Sequence, residues 1–294
     1  MRRIQESELI INPDGSVFHL HIRPGELAEN IILVGDPGRV ETVSGFFEKI
    51  EHSADNREFV SRTGRYKGTR FTVLSTGIGT DNIDIVLNEL DALVNVDFET
   101  RTVKSHLSSL NIVRIGTTGS LQEDLPVDSW LLSRRAIGFD GLLNFYEGGE
   151  SIFDPGFEEQ LVKDTGWSDR LTRPYVVNAD EKLLEVLKEE NVHEGNTISA
   201  PGFYGPQGRV IRLPLQNPEI NDRLSEFRYG SERITNYEME CSAIYGLSKL
   251  LGHKAATVCA VIANRKAGTS SKDYKPVVKS LVQYVLDRLS KHGF

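Results

Sequence analysis

Two carboxylates separated by one residue stand where a short apolar strand is predicted to meet a helix. Glu238 and Glu240 flank Met239, and from Met239 onward apolar residues recur every three to four positions. Because a helix N-terminus favours negative charge, the pair could serve only to cap the helix. A carboxylate can also accept hydrogen bonds from two neighbouring hydroxyl groups, such as those of a ribose, while the methionine thioether covers the sugar's apolar face. The sequence leaves both interpretations open.

Arg39 stands beside a turn that is suited to anions. The apolar run 31–34 is typical of a buried strand, the turn 35–38 contains two glycines and a proline, and a helix is predicted over 39–50. Free backbone N–H groups and the helix dipole point at such a turn. An arginine in the first helical turn opposes the dipole unless an anion lies between them. An anion site and an ordinary turn with a solvent-facing arginine both fit the pattern.

Arg114 lies within the predicted buried strand 111–119. A guanidinium in that position is costly unless an anion or a carboxylate pairs with it. Open α/β sheets bind ligands at the carboxyl ends of their strands, and Thr117 and Thr118 add hydroxyl donors within four residues. These neighbours favour a ligand-binding role for Arg114 over a structural ion pair.

The segment 201–209 has three glycines and two prolines in nine residues, which predicts a loop. It nevertheless carries Phe203, whose ring can stack on a flat heterocycle, together with Gln207 and Arg209. The amide offers a donor and an acceptor, and the guanidinium offers donors only. This set suits a heterocycle with adjacent carbonyl groups and an N–H group. Scattered polar residues in an ordinary loop are an equal alternative.

Strands and helices alternate along the chain and predict an α/β protein. Long polar or turn-rich stretches, 95–110 and 140–175, are predicted to be mainly loops. Strands are predicted at 15–20, 31–34, 57–60, 70–76, 111–119, 129–133, 136–139, 195–199, 233–235 and 255–263. Helices are predicted at 39–50, 83–93, 180–190, 241–251 and 274–291.

The composition is that of a soluble globular chain, with 39% hydrophobic residues among 294. A formal charge of −8 argues against nucleic acid as a partner and requires local arginines to hold any anionic substrate. No long apolar run and no apolar N-terminal segment occur, which predicts no membrane span, no secretion signal and a cytoplasmic location. Cys241 and Cys259 are predicted to be buried reduced thiols, and no Cys/His spacing indicates a metal site.

Five segments occur together in an order and spacing that resemble the uridine phosphorylases of the trimeric and hexameric nucleoside phosphorylase family. They are 35–40, 75–79, 114–119, 203–209 and 236–240. The resemblance implies one nucleoside phosphorylase domain over 1–294, with a mixed, partly barrel-like sheet flanked by helices. It also implies reversible phosphorolysis of uridine to uracil and ribose 1-phosphate, with inorganic phosphate as co-substrate and no other cofactor. Relatives of this kind are dimer-based homo-oligomers with shared active sites, and a hexamer is favoured here.

The resemblance assigns a role to each matching residue. Phosphate binding falls to Gly35, Arg39, Arg57, Arg114 and Thr117, and ribose binding to His19, Glu238, Met239 and Glu240. Base binding falls to Phe18, Thr118, Gly119, Phe203, Gln207, Arg209 and Arg265, and catalysis to Arg114, Gln207, Arg209 and Glu240. Phe18, His19 and Arg57 match residues that are donated from a neighbouring subunit.

One match to the family pattern and one departure from it bear on specificity and metal binding. Purine-specific relatives have a Ser-Asp pair where this chain has Asn264 and Arg265, which favours a pyrimidine base. No metal is firmly implied; a monovalent cation near Glu58, Ile78 and Asn82 is a candidate, although Asn82 replaces a serine. The competing hypotheses are a purine or broad-specificity nucleoside phosphorylase, a hydrolytic nucleosidase of the same fold and, least favoured, a non-catalytic nucleoside-binding protein.

Overall fold

The computed structural model describes residues 2–294. Its first seven strands are β1 (Asn30–Val34), β2 (Lys49–Asn56), β3 (Phe59–Tyr66), β4 (Thr69–Ser75), β5 (Val96–Asp97), β6 (Thr102–Val103) and β7 (Asn111–Ser120). The others are β8 (Trp130–Gly138), β9 (Tyr175–Asn178), β10 (Val192–Ser199), β11 (Arg228–Tyr229), β12 (Glu232–Glu238), β13 (Lys254–Asn264) and β14 (Thr269–Ser270). The helices are α1 (Pro37–Ser44), α2 (Thr80–Asn95), α3 (Pro155–Thr165), α4 (Glu181–Leu187), α5 (Ile220–Glu226), α6 (Cys241–Leu251) and α7 (Lys275–Lys291).

Most strands join one mixed sheet with the order β11-β12-β10-β8-β13-β7-β1-β4-β3-β2. Strands β4, β1, β7 and β13 are mutually parallel, so their carboxyl ends meet at one edge. Strand β12 also pairs antiparallel with β7, through Asn236 with Ser120 and Tyr237 with Gly119. This pairing returns the sheet on itself and closes a ring of β7, β13, β8, β10 and β12. The predicted mixed sheet of an α/β fold is confirmed.

Central strands are buried on both faces, as their continuous apolar sequences require. Every residue of β1 is buried, and helices cover the sheet on two sides. Helices α2 and α6 pack in one apolar core with the N-terminal residues Val17, Leu20 and Ile22. A second core contains buried residues of α1, α4 and α7, and a third contains buried residues of α3 and α5. No helix within residues 2–294 is long and apolar enough to cross a membrane.

The structure corrects several predicted elements. Residues 15–20 are not a strand: only Val17 makes an isolated bridge, to Ile11, and the chain then turns. The helix predicted over 39–50 ends at Ser44, and residues from Lys49 onward pair in β2. Apolar spacing alone did not reveal these boundaries because the same residues also face the core when the chain turns or extends.

Two regions hold more regular structure than predicted. The separate strands predicted at 129–133 and 136–139 form the single strand β8, whose interruption by Arg135 is accommodated through ion pairs with Asp154 and Glu232. The loop-rich segment 140–175 contains α3, which Asp154 caps through a hydrogen bond from Phe157 N (3.1 Å), with Pro155 in the first turn. An Asp-Pro pair is a start signal for a helix that the loop assignment overlooked.

Candidate active site

The two predicted carboxylates meet a buried arginine at the end of β12. Arg114 donates from Nη2 to Glu240 Oε2, and its Nε lies 3.6 Å from Glu238 Oε2. All three side chains are almost completely buried. Burial alone would lower the pKa of Arg114, but the charges of Glu240 and Glu238 raise it above its usual value. The arginine is therefore a permanent cation in a site that carries two carboxylates.

The backbone leaves room for this guanidinium at Gly116. A Cβ atom at that position would overlap Arg114 Nη1 and lie 2.8 Å from Cys259 Sγ. Arg114 Nη1 is buried and has no hydrogen-bond partner within residues 2–294. A buried donor without a partner is costly, so it is a natural point of attachment for an anionic ligand.

Arg39 brings a second guanidinium to the same place. It extends from α1, and its Nη1 donates to the carbonyl oxygen of Ile115, next to Arg114 in sequence, over 3.3 Å. Burial and, after it, the nearby charge of Arg114 lower the pKa of Arg39. The two guanidinium groups are thus close enough to repel each other, and an anion bound to both would relieve that repulsion.

Two turns beneath the arginines lie side by side. A Cβ atom on Gly35 would be 3.4 Å from the carbonyl oxygen of Gly77, and Thr76 N donates to Val34 O over 2.8 Å. Asp36 caps α1 by accepting from Gly38 N at 2.9 Å, so one backbone donor of the predicted anion turn is already in use. Thr117, on β7, is half-buried.

The carboxylates are held by more than Arg114. Glu240 Oε1 accepts from Gly79 N at 2.8 Å, whereas Glu238 accepts from the backbone N–H groups of Glu240 (2.9 Å) and Cys241 (3.0 Å). Glu238 Oε1 also accepts from Ser199 Oγ at 2.5 Å. Burial raises the pKa of Glu238; Arg114 opposes this increase, and the charge of Glu240 adds to it. Met239, between the two glutamates, is half-buried.

The loop between β10 and α5 forms a second polar group. Gln207 is buried in a short 3-10 turn, and its Oε1 accepts from Arg209 Nη1 at 2.5 Å. The Arg209 guanidinium also donates to Phe203 O at 2.5 Å and lies 3.7 Å from the centroid of the Phe203 ring. Asn221 Nδ2 holds the loop through the carbonyl oxygens of Gln207 (3.3 Å) and Gly208 (3.2 Å). The Gln207 amide and the Arg209 guanidinium, which were predicted to recognise a heterocycle, are therefore hydrogen-bonded to each other.

Arg265 approaches this group from the end of β13. Its guanidinium lies 5.2 Å from the centroid of the Tyr237 ring, its side chain passes over Gly119, and Nη1 has no partner within residues 2–294. Burial and the charge of Arg265 lower the pKa of Arg209 to about 10, and burial likewise lowers the pKa of Arg265. Tyr237, next to Arg265, directly precedes Glu238, next to Arg114. The end of β12 therefore lies between these two arginines.

One predicted base contact is used within the fold. The Thr118 hydroxyl donates to Tyr237 O over 2.6 Å and accepts from Asn236 Nδ2 over 2.7 Å. These bonds link β7 to β12 where the ring of strands closes. Asn264 is similarly occupied, because its Nδ2 donates to the carbonyl oxygens of Gln122 (2.9 Å) and Leu125 (2.8 Å).

The residues expected to be donated to a neighbour form a third group. The His19 ring packs edge-on against Phe18, with 4.8 Å between centroids, and its carbonyl oxygen accepts from Asn56 Nδ2 at 2.8 Å. Asn56 precedes the exposed Arg57, which has a φ of 53° in the turn between β2 and β3. The turn thus ties Arg57 to His19.

The candidate cation residues converge only in part. A Cβ atom on Gly77 would lie 2.5 Å from Asn82 Nδ2 and 3.0 Å from Glu58 Cγ, so both side chains approach that turn, whereas Ile78 is 69% exposed. Among residues 2–294 no cluster of three or more His, Cys, Asp or Glu side chains is placed to hold a metal ion.

A cavity of about 1280 Å³ borders the loop that carries Arg209, and Arg114, Glu238 and Glu240 do not line it. Arg209 and Tyr204 contribute to its wall, together with Trp167, Ile211 and Leu213. Sequence reasoning missed this wall, as it missed Gly116, Ser199 and the backbone donor at Gly79. Ser199 was detectable as a hydroxyl at a strand end, but the contact with Glu238 depends on the parallel pairing of β10 with β12.

The closed ring of strands carries two pairs of arginines, Arg39 with Arg114 and Arg209 with Arg265, as expected of an α/β enzyme that binds an anionic ligand. Comparison with known families identifies the class of this enzyme. The chain belongs to the phosphorylase superfamily, whose family model matches residues 29–289. Within it, the chain is an enzyme of the nucleoside phosphorylase family. The crystal structure of Trypanosoma brucei nucleoside phosphorylase, which shows uridine phosphorylase activity, is similar at a TM-score of 0.87 and 33% identity, covering 96% of this chain and 99% of that one.

Curated relatives differ in the base for which they are named. Uridine phosphorylase of Thermococcus kodakarensis is 28% identical over 262 residues, covering 86% of this chain and 79% of its own. Guanosine phosphorylase of Halorubrum lacusprofundi is also 28% identical over 262 residues, covering 88% and 89%. The DeoD-type purine nucleoside phosphorylase of Streptococcus suis is 26% identical over 278 residues, covering 92% and 98%. These values do not separate pyrimidine from purine specificity, which has to be argued from the site.

Proposed function

We propose that this enzyme catalyses the reversible phosphorolysis of uridine to uracil and ribose 1-phosphate. The observation that carries the proposal is the Gln207–Arg209 hydrogen bond of 2.5 Å, with Arg265 close enough to lower the pKa of Arg209. The aromatic rings of Phe203 and Tyr237 face these two guanidinium groups, and neither arginine forms an ion pair with a carboxylate in residues 2–294. Such a pocket stabilises a base that leaves as an anion.

The leaving base suits these donors. Breaking the bond between the sugar and the base leaves negative charge on the pyrimidine, chiefly on its two carbonyl oxygens and ring nitrogens. The Gln207 amide can match a neighbouring N–H and C=O pair, and Arg209 supplies the positive charge. Donors that are aimed at developing charge are each worth about 3–4 kcal/mol in a buried site.

Phosphate fits between Arg39 and Arg114. Arg114 Nη1 is a buried donor without a partner, and Arg39 faces it. Gly35, Thr117 and, from a neighbouring subunit, Arg57 complete the proposed phosphate site. Phosphate held there would attack the anomeric carbon on the face opposite the base, with inversion and without a covalent intermediate on the enzyme. Inorganic phosphate is the only co-substrate that this reaction requires.

The two glutamates and Met239 bind the ribose in this proposal. Glu240 is already fixed by Gly79 N and Arg114, which orients its oxygens before the sugar arrives. The sugar hydroxyl groups become more acidic as the ring acquires positive charge. Their hydrogen bonds to a carboxylate therefore strengthen in the transition state, which accelerates the reaction rather than only tightening binding.

The proposal extends to the assembly. The whole chain, 1–294, would act as one cytoplasmic nucleoside phosphorylase domain. Asn56 links His19 to the turn that carries Arg57, so these residues form a group of their own. We propose that this group completes the active site of a neighbouring copy, in a dimer-based oligomer of hexameric form. Phe18 would then contact the partner's base, and Phe203, Thr118 and Gly119 would line the pocket of the same copy.

A purine or broad-specificity nucleoside phosphorylase is the second candidate, because relatives named for guanosine and purine nucleosides are nearly as similar. Arg265 speaks against it. A purine leaves most readily when an acid protonates N7, and a guanidinium is a poorer acid than a carboxyl group for that purpose. The hydrolytic alternative requires a water-activating base in place of a phosphate site.

A nucleoside panel, run with and without phosphate, tests these alternatives. The proposal predicts release of uracil from uridine only when phosphate is present, with inosine, guanosine and adenosine at least about a hundredfold slower in kcat/KM. Faster turnover of a purine nucleoside would establish the second candidate. Release of uracil without phosphate would establish a nucleosidase, and tight binding without turnover would establish a binding protein.

A further inference from the structure

One buried carboxylate outside the described site contacts the ring of a histidine. Glu89 is on α2 and is 8% exposed. Its Oε1 lies 2.6 Å from His19 Nδ1, and its oxygens accept from the backbone N–H groups of His19 (3.1 Å) and Leu20 (2.9 Å). The helix has no other contact of this kind with the N-terminal turn among the described residues. Its carboxylate is therefore placed to define the position of one imidazole ring.

This arrangement decides which nitrogen of His19 carries hydrogen. The two backbone N–H groups converge on Glu89 Oε2, and Oε1 faces the imidazole and the N–H group of His19. An ionised carboxylate has no hydrogen to donate, so the short contact between Oε1 and Nδ1 requires hydrogen on Nδ1. Nε2 is then the nitrogen left for another partner. The His19 side chain is 27% exposed, so part of the imidazole can be reached from outside this chain.

Further contacts hold the backbone and the ring of His19. Asn56 Nδ2 donates to the His19 carbonyl oxygen over 2.8 Å, and the Phe59 ring stands edge-on, 6.2 Å from the imidazole centroid. Phe59 is buried, so it cannot move away without disturbing the core. Phe18 and Phe59 restrict the ring by packing, whereas the Glu89 contact is the hydrogen bond that distinguishes one ring nitrogen from the other.

We propose that Glu89 is a positioning residue that orients His19, with Nδ1–H toward the carboxylate and Nε2 toward the 5′-hydroxyl group of the nucleoside, and that it thereby sets the preference for 5′-hydroxylated substrates. The inference rests on the proposed function, in which His19 contacts this hydroxyl group in a neighbouring site. Glu89 itself touches no substrate. It fixes one tautomer and one rotamer of the imidazole before the substrate binds, which lowers the entropic cost of binding.

Glu89→Gln tests the proposal because it replaces one of the two acceptor oxygens with an NH2 group. In one orientation of the amide this group faces His19 Nδ1, and in the other it faces the backbone N–H group of Leu20. The readout is the ratio of kcat/KM for uridine to kcat/KM for 5′-deoxyuridine, whose sugar lacks the hydroxyl group. His19→Ala is expected to lower this ratio about tenfold, and Glu89→Gln about fivefold, with little change for 5′-deoxyuridine. In the His19→Ala background, Glu89→Gln should leave the ratio unchanged.

Asp84→Asn is the matched control, since it removes a carboxylate from the same helix that bonds to Tyr146 rather than to His19. Its ratio should equal that of the native enzyme. A native ratio for Glu89→Gln, or an equal loss on both substrates, would overturn the role of Glu89. A native ratio for His19→Ala would overturn the 5′-hydroxyl contact and this inference with it, while phosphorolysis of uridine would still stand.

A second measurement does not depend on the substrate. In ¹⁵N-histidine-labelled enzyme, with the signal assigned by its loss in His19→Ala, NMR should show hydrogen on Nδ1 of His19. In Glu89→Gln the amide can donate to Nδ1, so the hydrogen should shift to Nε2. Hydrogen on Nε2 in the native enzyme would refute the proposed orientation even if uridine proved not to be the substrate.

Discussion

Removing the Arg209 side chain tests the base-recognition group most severely. In the native enzyme Arg209 fixes the Gln207 amide through a 2.5 Å hydrogen bond and is itself fixed by Phe203. Arg209→Ala would remove the positive charge and release the amide to rotate. We expect kcat/KM for uridine to fall by two to three orders of magnitude, and KM for phosphate to stay within about twofold.

The magnitude follows from the charge that Arg209 carries. Its pKa is lowered to about 10, which is three units above neutral pH, so only about 0.1% of the side chain is neutral at pH 7. A cationic donor aimed at a leaving anion in a buried pocket is worth about 3–4 kcal/mol. Arg209→Lys keeps the charge but cannot bond to Gln207 and to the base together, so we expect it to recover only part of this loss.

The assay is the absorbance change as uridine becomes uracil, measured for uridine and for 5-fluorouridine. Fluorine withdraws electron density and makes the base a better leaving group, so Arg209→Ala should harm 5-fluorouridine about tenfold less than uridine. Arg212→Ala is the control: the residue is exposed on the same loop, and its loss should leave kcat/KM within about twofold. Near-native activity of Arg209→Ala, or equal losses on both substrates, would remove Arg209 from leaving-group stabilisation.

Three further predictions concern other parts of the site. Gly116→Ala would place a methyl group against the buried guanidinium and 2.8 Å from a cysteine sulfur, so KM for phosphate should rise at least about tenfold in steady-state assays. Ser199→Ala removes a donor that lowers the pKa of Glu238, a pKa already raised by burial, so the acid limb of the kcat/KM profile should move to higher pH. Mixing Arg57→Ala with Arg209→Ala subunits, each inactive alone, should restore about a quarter of native sites if dimers form at random.

Each of these predictions has a clear contrary result. An unchanged phosphate KM in Gly116→Ala would show that phosphate does not bind beside that guanidinium. An acid limb that stays in place in Ser199→Ala would show that protonation of Glu238 does not limit activity. No recovery on mixing Arg57→Ala and Arg209→Ala subunits would argue that each copy holds a complete site.

The parts of the fold that could be predicted are those in which one sequence pattern has one structural solution. The apolar runs of β1 and β13 are best buried as central strands, and the structure confirms both predictions. The helix predicted at 274–291 matches α7 because its apolar stripe is long and uninterrupted. Where a few apolar residues suit either a turn or a strand, as at 15–20, pairing partners distant in sequence decide the outcome.

The composition of the site was more predictable than its contacts. An arginine in a buried strand and glutamates at a strand end indicated charged groups that needed partners, and the structure pairs them with each other. The spacing could not show that Arg114 bonds to Glu240, since 126 positions separate the two. It also could not show that Thr118 is occupied by Asn236, because that bond depends on the pairing that closes the ring of strands.

The identity of the sugar product tests the central claim most directly. Enzyme, uridine and inorganic phosphate are incubated together, and the products are followed by ¹H and ³¹P NMR. The proposed phosphate site between Arg39 and Arg114 predicts one ribose 1-phosphate of α configuration for each uracil released, and no reaction when phosphate is withheld. Free ribose as the product, or uracil release at an equal rate without phosphate, would contradict the account.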